Sequence, residues 1–166
     1  MKPLLRLVAL FICVTAVECQ ERNTLEERCI QQLQRGVKVP FYFGTSNLAC
    51  VKNLGKGKRR RSVDTVSVTR LTHRYLYYCG SYYEFGTGYP PYRTLPYGWY
   101  RCNPETDSEP AGYSNAYPDC SKSCADKYVR QKPFSTLNNN CHHFANAMAK
   151  YLYRSDKECC KYRLPY

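Results

Sequence analysis

The chain has 166 residues, a length suited to one domain, and a formal charge of +12 from 25 basic and 13 acidic residues, with 11 cysteines and 17 tyrosines. The charge is concentrated: KGKRRR at 56–61 holds five basic residues in six, and residues 62–166 carry 13 basic against 9 acidic, a balance of only +4. That distribution excludes nucleic acid as the expected partner, because a short basic run is more often a solvated loop or a protease site than a binding patch.

In chain order, MKPLLRLVALFICVTAVEC at 1–19 has early positive charge, an apolar run and then small residues. This is the pattern of a secretory signal peptide, too short to anchor in a membrane. No later apolar run is long enough for a transmembrane helix, so the expectation is a secreted, extracellular protein without an integral membrane segment. Cysteine use agrees with export, where an oxidising compartment turns cysteines into a disulfide framework. Cleavage after Cys19 leaves nine cysteines, eight of them available for four bridges once Cys141 is set aside. Cleavage after Ala16 would retain Cys19 and spoil that parity.

TLEERCIQQLQ at 24–34 predicts a helix, with Thr24 and Glu27 as a capping box. VKVPFYFG at 37–44 predicts a strand, and Pro40 argues for a sheet edge. Lys58, Arg59, Arg60 and Arg61 have the form of a convertase site with cleavage after Arg61, the alternative being an uncut exposed loop. Cys29 and Cys50 lie before that site and either pair together or tether the two pieces. Residues 63–78, rich in Val, Thr and Tyr, read as one or two strands; Gly80 and Ser81 form a turn and 81–86 returns as the second arm of a hairpin. Residues 87–120, full of Pro, Gly, Tyr and Asn, read as a long ordered loop held by Cys102 and Cys120. A short helix is expected at 121–130. A second runs from about Asn140, capped by Asn138 or Asn139, with Phe144, Ala147 or Met148, Tyr151 and Leu152 on its apolar face.

Within NNNCHHFANAMAKYL at 138–152, Cys141 falls in the first turn of that helix. Unpaired amides and the helix dipole there favour a thiolate, the reactive form of cysteine. An imidazole is then needed as base and later as acid to the leaving group. His142 and His143 follow directly along the helix and do not face the same way as Cys141. His73, on the strand before the hairpin, is the remaining histidine and the candidate partner. The alternative for Cys141 is an ordinary bridge-former, and for His73 a half-buried strand histidine bonded to a carbonyl. No pair of ligand pairs with zinc spacing appears, Cys120 and Cys124 lack a matching partner, and no metal or other cofactor is expected.

These residues carry a resemblance. Asn140, Cys141, Phe144 and Asn146 match the cysteine motif of the PPPDE peptidases, the deSUMOylating-isopeptidase family, and His143 with Phe144 resembles the N-C-E-H-F motif of the related lecithin–retinol acyltransferase group. HRYLYYCGSYYEFG at 73–86 is similar to the family's histidine strand and glycine turn, with His73, Gly80, Tyr83, Phe85 and Gly86 in order, and Phe134 stands where the family often has an aromatic. The likeness covers roughly residues 63–152. It implies a circularly permuted papain fold, with Cys141 as nucleophile, His73 as base and backbone amides near Cys141 as the oxyanion site. Arg74 and Tyr75 depart from the small residues the family has after its histidine, and Glu84 is displaced from the usual Glu-Tyr order. A ubiquitin-like substrate does not fit an extracellular protein.

The expectation is therefore an α+β protein with a permuted papain-like core: a small antiparallel sheet, the cysteine-bearing helix packed on it, and disulfide staples. Residues 1–19 form the signal peptide, 20–61 a possible propeptide ending at the basic site, and 62–166 the papain-like domain. The function expected is a secreted thiol hydrolase or acyltransferase acting on an amide or ester of a peptide, a cell-wall peptide or a lipid. The rival is a non-enzymatic disulfide-rich binding protein or toxin-like effector on a degenerate scaffold of the same kind.

Overall fold

The computed structural model describes residues 25–47, 72–88, 90–96, 102, 104–154 and 159. The expected signal peptide, the capping Thr24, the basic run at 56–61 and the expected strand residues 63–71 lie outside these. The described residues form an α+β fold, with a small antiparallel sheet and three helices of ten residues or more. Helix α1 spans 25–34. The strands are β1 (Val39–Asn47), β2 (Thr72–Tyr78), β3 (Ser81–Tyr83), β4 (Tyr92–Arg93), β5 (Glu105–Thr106) and β6 (Gly112–Ser114), followed by helices α2 (Pro118–Gln131) and α3 (Cys141–Arg154). The strand order is β4-β3-β2-β1-β5, and β6 also pairs with β1.

Strand β1 runs through the middle of this sheet, against the edge position that Pro40 suggested. It pairs with β2 from Tyr42 to Asn47 on one side, and with β5 and β6 on the other. The Phe41 and Phe43 carbonyls accept from Ala111 and Asp107 at 2.8 Å on the β5–β6 side. The nitrogen of Pro40 therefore points the other way, towards β2, where the ladder has not yet begun. Residues 25–47 supply α1 and β1, and β1 lies in the same sheet as β2 and β3.

The β2–β3 hairpin turns on Cys79 and Gly80, at φ 48° and 77°, one residue earlier than Gly80 and Ser81. Two consecutive left-handed residues give a turn whose twist matches the strands it joins. Its returning arm pairs only from Ser81 to Tyr83, shorter than the expected 81–86. The turn is fastened to α1 by the Cys29–Cys79 disulfide. Cys120 bonds Cys159, and Cys102 and Cys124 are also disulfide-bonded. Within the stretch 87–120, β4, β5 and β6 add short rungs to the sheet where a loop was expected.

Helix α2 starts earlier than 121, at Pro118, because proline at the first helical position gives up no needed N–H. On α3, Phe144, Met148 and Leu152 are fully buried and Ala147 and Tyr151 nearly so, the apolar face expected from their spacing. That face packs against Phe41, Leu76, Tyr78 and Tyr83 of the sheet. Fully burying each such large side chain stabilises the fold by roughly 1.5–3 kcal/mol. Among the described residues no helix is long and apolar enough to cross a membrane.

Candidate active site

The three asparagines before Cys141 have separate tasks. The backbone N–H of Asn138 donates to Ser135 Oγ at 3.3 Å. Asn139 Nδ2 donates to the carbonyls of Lys132 and Pro133, at 3.0 and 2.9 Å, and Asn139 Oδ1 accepts from the Tyr128 hydroxyl. These bonds pin the loop to the end of α2. Asn140 is the cap of α3, in place of Asn138 or Asn139. Its Oδ1 accepts from the His142 and His143 amides at 3.0 and 3.4 Å, and its carbonyl accepts from the Phe144 amide. The exposed His143 turns back on the same cap, Nδ1 to Oδ1 3.0 Å. His142 donates from Nε2 to the Thr72 carbonyl at 3.0 Å and so ties the first turn of α3 to the start of β2.

This cap sets Cys141 as the first residue of α3. It is buried and is the free cysteine among the described residues. Its sulfur meets the His73 ring through a side-chain hydrogen bond, and the amides of Arg74 and His142 also donate to it. Even-numbered residues of β2 turn their backbone groups to β3, and that pairing stops at Leu76 with Tyr83. Arg74 is the next rung, and its N–H goes to the sulfur in place of a strand partner. Cys141 thus sits at the point where the sheet edge opens.

His73 is 2 % exposed and donates from Nε2 to Glu84 Oε2 at 2.8 Å. With Nε2 turned to Glu84, Nδ1 is the ring nitrogen left to face the thiol. Glu84, fully buried, is the member sequence reasoning missed. The pairings Tyr78 with Ser81, Tyr77 with Tyr82 and Leu76 with Tyr83 put Glu84 across from Tyr75, one step past the ladder. It is then diagonal to His73 on the same face, within reach of a long side chain. A correctly placed two-residue turn was the signal that finds it.

The charges decide the protonation state. Burial acts to neutralise His73, but hydrogen bonds to Cys141 and Glu84 and their negative charge outweigh it and lift the imidazole to about 9. Burial likewise pushes the Cys141 thiol up, and the hydrogen bonds from His73, Arg74 and His142 together with the His73 charge bring it net below its ordinary value. Both shifts favour a thiolate beside an imidazolium, with Glu84 on the far side of the ring.

Aromatic packing holds this geometry. Phe85, next to Glu84, contacts Phe134, Phe144 and Tyr128 with ring centroids 5.4, 5.5 and 5.7 Å away. The strand end, the loop before Cys141 and the helix after it therefore lock on one cluster. Tyr75 crosses directly over Gly44, where a Cβ would lie 2.2 Å from its ring, and bonds Thr106 Oγ1 at 3.0 Å. Among the described residues no group of three or more His, Cys, Asp or Glu could hold a metal ion.

Comparison of the chain with protein-family models, with characterised proteins and with solved structures finds no match.

Proposed function

We propose that this chain is a secreted thiol hydrolase or acyltransferase with a permuted papain-like core, acting through Cys141, His73 and Glu84. The observation that carries the reading is the buried hydrogen-bonded chain from Glu84 through His73 to the one described free cysteine. A nucleophile, a base that touches it and a third group that orients the base form the constellation that nucleophilic catalysis requires. The helix that starts at the nucleophile and packs on an antiparallel sheet beside the histidine strand supports the permuted papain-like arrangement.

The Cys141 thiolate attacks an amide or ester carbonyl and forms the carbon–sulfur bond. The His142 and His143 amides are held by Asn140 Oδ1 and that of Phe144 by the Asn140 carbonyl, so it is the Cys141 N–H at the start of α3 that holds the negative oxygen. His73 gives its proton to the leaving nitrogen or oxygen as that bond breaks. Water or another acceptor then passes a proton to His73, adds to the acyl carbon and releases the thiolate. Glu84 keeps the ring oriented and stabilises its charge. The substrate classes that suit this chemistry are a peptide, a cell-wall peptide or a lipid ester. The disulfides agree with an extracellular site of action, and cleavage after Arg61 is proposed as a maturation step.

Labelling with an electrophilic thiol probe tests the reading. The native protein is expected to label at Cys141, His73→Ala more slowly and Cys141→Ser not at all. A native protein that does not label, with Cys141 bridged, leaves a non-catalytic binding protein instead.

A further inference from the structure

The structure assigns to Arg74 a role in substrate choice: we propose that its guanidinium binds a carboxylate of the substrate close to the scissile bond. This rests on the Cys141–His73 reading and deepens it.

Arg74 follows His73 directly, and its own amide ends on the Cys141 sulfur. Its side chain leaves the opposite face of β2 from His73, towards α3. There the guanidinium carbon lies 3.8 Å from the centroid of the Phe43 ring, and Nη1 donates to Asn146 Oδ1 at 3.4 Å. An aromatic face and a helix amide thus hold the cation in one place, which lowers the entropy lost when it binds a ligand. No described carboxylate pairs with it, and its side chain remains partly exposed. A single long bond to Asn146 leaves most of its five N–H donors for another acceptor.

A purely structural cation would be expected to meet an acidic partner or point freely into water. Arg74 does neither: its guanidinium is stacked on Phe43 and bonded to Asn146, while its amide ends on the Cys141 sulfur. The Phe43 ring and the Asn146 amide that hold it carry no charge, so its positive charge is left for a ligand to balance. A carboxylate satisfies this condition and also fits the planar fork with two parallel hydrogen bonds.

The test uses the native protein and two alkylating reagents, iodoacetyl-β-alanine and its uncharged amide, with the rate at Cys141 read for each. An effect common to both reagents cancels in the ratio of rates. The native protein is expected to favour the carboxylate reagent. Arg74→Gln is expected to lower the ratio roughly tenfold or more, as for a lost charge-assisted hydrogen bond. Arg74→Lys, which keeps the charge without the fork, is expected to fall between them. Equal ratios in all three proteins overturn the assignment while leaving a reactive Cys141 intact. A Cys141 that reacts with neither reagent overturns the hydrolase reading itself.

Discussion

Glu84 reaches His73 diagonally across the β2–β3 hairpin, Oε2 to Nε2 2.8 Å, with both side chains buried. The carboxylate is one of the two groups that lift the imidazole to about 9. Removing its charge in Glu84→Gln while keeping its shape is therefore expected to lower the His73 value by roughly 1–3 units. Titration of the His73 ring by NMR measures it. An unmoved titration contradicts the pairing.

The thiolate–imidazolium pair also links stability to pH. His73 is raised from 6.5 to about 9, so its contribution is complete below 6.5 and is lost as pH rises through about 9. Cys141 is lowered from 9.0, so its contribution is complete above that value and is lost as pH falls through the lowered one. The stability difference between the native protein and Cys141→Ser is thus largest between the two. Denaturant midpoints at neutral pH, at acid pH and above about 9 are expected to converge at both extremes.

Cleavage after Arg61 would sever the chain between β1 and β2, yet β1 sits in mid-sheet and Cys29 is bonded to Cys79. The expected product is two chains that stay together. Cleaved protein should run as one band on a non-reducing gel and as two after reduction. Release of the N-terminal piece without reductant contradicts the shared fold.

Gly44 is needed for what passes over it. A methyl group there would lie 2.2 Å from the ring of Tyr75, which is fully buried and cannot swing away. Gly44→Ala is expected to cost about 1–3 kcal/mol, the usual penalty for overpacking. Urea denaturation measures it.

Much of this was legible in the sequence. The helical spacing of Phe144, Met148 and Leu152 locates α3 and its buried face, and residue type and position alone mark Cys141 and His73 as candidates. The turn at Cys79–Gly80 is not legible, because a non-glycine residue with positive φ leaves no compositional trace, and the place of Glu84 depends on that turn. Pro40 suggested an edge because a proline shows that an N–H is missing and not which neighbour it would have faced. The disulfide partners of Cys29 and Cys120 were beyond reach, since pairing depends on how distant segments meet.

The proposed hydrolase activity rests on His73 favouring the thiolate of Cys141. The most direct measurement is the rate of iodoacetamide alkylation of Cys141 in the native protein as a function of pH. The thiol is expected to become reactive below its ordinary value of 9.0, with a second change at about 9 as His73 loses its proton. A single rise centred on the ordinary thiol value, unchanged in His73→Ala, contradicts it.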